Sequence, residues 1–201
     1  MPFENLLQHP SQRVAQEEHA VTDRLQGSKA QGAAWYIRNN TQVAVTTLAL
    51  GITWGVGTVL ILLTNGVMLG AVCADYMIAG ERRILLGWLM PHGSVELPAI
   101  VLAGQAGLVL GGALIAWGRR ISLRARLRAV TPDLVTLVAG VAVLLVWAGI
   151  VESFLSQYHK PVLPYGLKIA FGLIELAVLT VFLARSGRTR ERANRAQEAG
   201  A

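Results

Sequence analysis

The chain has 201 residues, 53% hydrophobic and 15% charged, with a mean hydropathy of +0.48. Soluble domains carry about 25% charged residues, so an ordinary water-soluble globule is excluded, and the lone Cys73 excludes an intramolecular disulfide or a thiolate metal cluster. The formal charge of +6 comes from arginines grouped beside apolar runs, not from basic patches interleaved with aromatics, which argues for membrane topology and against nucleic acid.

Residues 1–38 read as a cytoplasmic segment. They open "MPFENLLQHPSQ", without the basic region and apolar core of a signal peptide. Leu6, Leu7, Val14, Val21 and Leu25 recur at loose helical spacing. That pattern allows amphipathic helices lying on a membrane or a partner, and equally a solvated tail. Trp35 and Tyr36 stand where an aromatic belt is expected, at the entry to the first span.

Residues 41–63 then run without a charge. At about 1.5 Å per residue, such a run crosses a hydrocarbon core of about 30 Å. Further spans are expected over 97–117, over 134–155 with Glu152 near its end, and over 165–184 with Glu175 near its middle. The stretch 67–79 is apolar but short and holds Asp75; "ERR" at Glu81–Arg83 follows it, and 84–90 is a second short apolar piece. Runs of about 10–14 apolar residues are more often re-entrant or interfacial than spanning. The expected architecture is therefore an all-α membrane protein with four full transmembrane helices and a re-entrant or interfacial helical segment over 66–90 on the outer side. The membrane domain covers 39–184, and 185–201 forms a basic cytoplasmic tail.

Arg119, Arg120, Arg124, Arg126 and Arg128 follow the second expected span, and Arg185, Arg188, Arg190, Arg192 and Arg195 follow the last. The positive-inside rule puts both groups in the cytoplasm of a bacterial inner-membrane protein. Both termini are then inside, and Arg82 and Arg83 lie outside.

That topology gathers Asn65, His92, Glu96 and Glu152 near the outer headgroups, on a rim made by Gly and Pro breaks. Ionisable residues at membrane depth are costly and usually face the bundle interior. Three readings apply: a satisfied polar network that locks irregular backbone around Pro91 and Gly93; a metal site on His92, Glu96 and Glu152; or a binding or permeation site for a lipid, an ion or a cell-wall precursor. Glu175, near midplane, either pairs across the bundle or is protonated. Gly51–Gly55, Gly66–Gly70 and the ridge through Ala103, Gly107 and Gly111 have small-xxx-small spacing. They serve either an oligomer interface or tight packing inside one bundle. No Walker or HExxH motif is present, and no cofactor is implied.

Several stretches resemble the stage II sporulation protein M family of integral membrane proteins. They are Asn39–Asn40 before the first span, "TNG" ending at Gly66, "MPHGSVELPAIVLAGQAG" from Met90 to Gly107, and "IVESF" around Glu152. The resemblance covers about residues 35–184. It implies a multi-pass scaffold that recruits peptidoglycan-degrading partners during engulfment in spore formers, and it carries over no catalytic residue. The expected function is a non-enzymatic scaffold. Its expected partners are the lipid bilayer, a second copy of itself (a dimer first) and envelope membrane proteins. A transporter, channel or lipid-handling protein using the His/Glu cluster is the second expectation, and an intramembrane metallohydrolase the third.

Overall fold

The computed structural model describes residues 29–115, 121–156 and 163–199. The expected amphipathic pattern of the first 28 residues, the side chains of Trp35 and Tyr36, Arg119 and Arg120, and the arginine side chains after Ser186 lie outside the described features. Among the described residues five helices follow one another: α1 (Lys29–Ala49, closing in a 3-10 turn, Leu50–Thr53), α2 (Val56–Ile78), α3 (Arg82–Ile115), α4 (Leu123–Val151, running into a π turn, Glu152–Ser156) and α5 (Tyr165–Ala199). The described residues contain no strand. Among the described residues four segments are long and apolar enough to cross a bilayer: Val56–Ile78, Arg82–Ile115, Leu123–Leu155 and Tyr165–Ser186. Their outer surfaces expose Ile78, Met68, Val143 and many other large apolar side chains. In water these would form patches far beyond what monomers tolerate; in lipid they are ordinary.

The number of spanning-length helices matches the expectation, but their boundaries do not. The uncharged run 41–63 is not one helix. It breaks at Trp54 (φ 56°) and Gly55 (φ 84°), both in the left-handed region. The Thr53 hydroxyl accepts the Gly57 N–H at 2.8 Å and so starts the next helix. Thr58 then donates to the Thr47 carbonyl at 2.7 Å, tying α2 back against α1. An uncharged run specifies apolar length, and the reversal is written in Thr53, Gly55 and Gly57.

The second correction concerns 66–90, which is not a separate re-entrant or interfacial segment. Residues 66–78 complete α2, and 82–90 begin α3. A tight turn joins them, with Gly80 at φ 82° and the Glu81 N–H donating to the Tyr76 carbonyl at 2.9 Å. Gly supplies this left-handed helix stop at no steric cost. The charges of "ERR" therefore sit at a turn between two long helices. Pro91 and Pro98 both lie inside α3 without ending it; each removes one N–H donor, and neighbouring helices supply the packing that holds the axis together.

α3 is the central helix and packs against every other helix. Ala44 of α1 meets Ala99 and Ala103 of α3 and Val141 and Leu145 of α4. Gly51 abuts Gly107, so α1 runs parallel to α3. Thr58 lies beside Gly107 and Leu62 beside Gly104, so α2 runs antiparallel to it. Arg126 at the start of α4 donates to the carbonyls of Ala113 (2.7 Å) and Leu114 (3.3 Å), capping the last turn of α3. Tyr165 packs on Gly87 and Gly172 on Met90, so α5 runs parallel to α3.

Candidate functional site

The cluster forms where α1, α3, α4 and α5 come together. His92 and Glu96 are one helical turn apart and share a face of α3. Because α4 is antiparallel to α3, its C-terminal end returns to the same level, and Glu152 opens the π turn there. One donor atom from each of His92, Glu96 and Glu152 lies within 4.8 Å of the other two. His92 and Glu152 are buried and Glu96 is half-buried, leaving one flank of the group open.

Further polar side chains adjoin the group. Asn40 of α1 reaches the Glu96 side chain; it is only 6% exposed, and its Nδ2 makes no hydrogen bond within ordinary geometry. Its Oδ1 accepts from Asn39 at 3.3 Å. The Ser153 hydroxyl, fully buried beside Glu152, is likewise without a hydrogen-bond partner in the structure. Lys168 of α5 is fully buried and acts electrostatically on His92, with its ammonium 5.9 Å from the centre of the Tyr165 ring. Trp88 meets the imidazole edge-on at 5.4 Å.

His92, Glu96 and Glu152, grouped from sequence, thus meet in space. The means differs from the expectation: they converge on continuous helices, not on a rim of broken backbone. Glu96 lies 14 residues along α3, about 21 Å from its start, well inside the helix and not at its opening. Asn65 has another partner, donating to the Ile61 carbonyl of its own helix at 2.8 Å. Glu175 lies beside the cluster but faces differently. It accepts from the Trp147 indole N–H and from Ser94 Oγ at 3.2 Å.

Sequence reasoning missed Asn40 as a member, although it stands in the "NN" pair before the first span, and it missed Lys168 altogether. A lysine four residues into an otherwise apolar span was the available signal.

The glycine motifs divide into two kinds. A Cβ on Gly51 would strike the Gly107 backbone, and one on Gly111 would strike Gly55 and Trp54. Gly55 itself takes a left-handed turn. These four glycines hold the α1–α2 elbow on α3. Gly66 and Gly70 face open space, and a Cβ added at either would meet nothing within 4 Å.

The family model for stage II sporulation protein M matches residues 3–157. No curated protein and no solved structure matches the chain.

Proposed function

We propose a function from one premise: this chain belongs to the stage II sporulation protein M family. In our reading it is a non-enzymatic scaffold of the cytoplasmic membrane that assembles laterally, first with a second copy of itself and then with peptidoglycan-remodelling envelope proteins. One observation carries this. Arg38, Asn39 and Gln42 of α1 are exposed on the outside of the bundle, although the neighbouring Asn40 sits level with Glu96, well inside the length of α3. The helices around them are apolar at that depth. Arginine and amides facing lipid are costly, so membrane proteins turn such groups toward protein or water. A second copy presenting the same face supplies amide partners in a two-fold interface.

α2 supports the same reading. Only 6% of its spanning window is buried, and its open Gly66–Gly70 face is shaped for close approach by another helix. The arginine groups after α3 and in the tail favour a cytoplasmic placement for that end of the bundle.

The test is disulfide trapping in native membranes, in a Cys73→Ser background. Gln42→Cys is expected to yield a cross-linked dimer, and Val143→Cys, exposed on α4, is not. Arg38→Leu should then lower the dimer fraction or redirect the contact. Equal trapping at both positions, or none at Gln42→Cys in a protein that sizes as a monomer, would overturn the reading.

A further inference from the structure

We propose that His92, Glu96 and Glu152, completed by the Asn40 amide, form an intramembrane site for one divalent cation of the zinc class. The inference is independent of lateral assembly, because every donor belongs to one chain.

Geometry comes first. Three atoms within 4.8 Å of one another share a point no more than about 2.8 Å from each, against zinc–nitrogen and zinc–oxygen distances of about 2.0–2.2 Å. Each donor must move inward by at most about 0.7 Å. Small torsional adjustments of the two glutamates, which lie on different helices, supply that.

The charges agree. Two carboxylates lie side by side in the interior, and Lys168 is the one lysine or arginine buried among the described residues. Ionised side by side away from water, the two carboxylates repel each other, and a divalent ion held between them matches their combined charge.

The donor set selects the ion. An imidazole with two carboxylates suits zinc and its first-row neighbours, whereas magnesium and calcium want six or more oxygens. The fourth position falls to Asn40. A half-turn of its amide puts an oxygen toward Glu96 in place of Nδ2, and the exposed Asn39 amide turns with it so that its oxygen accepts from the displaced Nδ2. Glu152 opens a π turn, and such turns occur frequently at functional sites. The partial exposure of Glu96 leaves a way in.

The experiment uses tag-free, full-length protein in detergent, treated with chelator, reloaded with zinc sulfate, desalted and assayed by mass spectrometry for metal. About one zinc per chain is expected, with a higher unfolding temperature than the chelated protein. Glu152→Gln and His92→Ala should each lose the metal, and Asn40→Ala should weaken binding by about 10–100-fold. Glu175→Gln, whose carboxylate belongs to another pair, should keep it. Circular dichroism and gel filtration establish that each variant is folded, and the near-isosteric Glu152→Gln decides the matter if His92→Ala is not. Wild-type protein that retains less than about a tenth of an equivalent overturns the proposal. So does zinc retained equally by folded Glu152→Gln, which would mark adventitious binding at a surface group.

Discussion

Replacing Gly107 by alanine should destabilise the bundle, whereas the same change at Gly66 should not. At Gly107 the new methyl would lie 2.5 Å from Thr58 Oγ1 and 2.9 Å from the Thr47 carbonyl oxygen. Both groups are fully buried and joined by the hydrogen bond that fastens α2 to α1. Overpacking of this kind costs about 1–3 kcal/mol, and losing the hydrogen bond adds about 1 kcal/mol. At Gly66 a methyl meets nothing within 4 Å, and replacing a mid-helix glycine gains about 0.5–1 kcal/mol. The two variants should therefore differ by about 3 kcal/mol. For chains of this size that corresponds to about 6–12 °C in Tm. Thermal unfolding in detergent, followed by tryptophan fluorescence, measures it. Equal losses at the two positions would refute the division of the glycines into packed and open sets. A neutral Gly107→Ala would show that the α1–α2 elbow does not rest on α3.

Three further outcomes are expected. Arg126→Ala should cost about 1–2 kcal/mol by uncapping Ala113 and Leu114, while Arg124→Ala, on an exposed residue, stays within about 0.5 kcal/mol; denaturant titration in detergent compares them. Trp147→Phe and Glu175→Gln should couple by about 1 kcal/mol in a double-mutant cycle, because the indole donates to that carboxylate; strict additivity would mean the bond contributes nothing. In a Cys73→Ser background, Glu81→Cys before α3 and Ser122→Cys after it should react with impermeant maleimide from opposite sides of the membrane. Labelling of both from one side would mean that α3, which separates them, does not cross.

Much of the site was legible because membrane burial makes polar residues conspicuous. His92, Glu96 and Glu152 stand out in apolar sequence, and a four-residue spacing already puts the first two on one helical face. What joins them to Glu152 is the antiparallel return of α4, inferable from two spans and a short basic connection. Asn40 escaped because it sits in a polar flank, "RNNTQ", where an amide is unremarkable. Its role appears only once α1 lies beside α3 and brings it to Glu96. The Glu175 partners were hidden for a similar reason. Ser94 is 81 residues away and Trp147 is 28 away, on two other helices.

Composition and apolar length alone determined that this is a helical membrane protein with four spanning-length segments, since backbone groups in lipid must be satisfied within each helix or within a closed barrel. They did not determine where the first of those segments begins. That was decided by local geometry and contact: left-handed turns at Trp54–Gly55 and Gly80, and glycines that let the elbow settle on α3. Hydropathy measures what a stretch gains by leaving water, which is nearly the same for a span, an elbow or a hairpin. Tertiary packing distinguishes them, because only there do close backbone approaches and cross-helix hydrogen bonds exist.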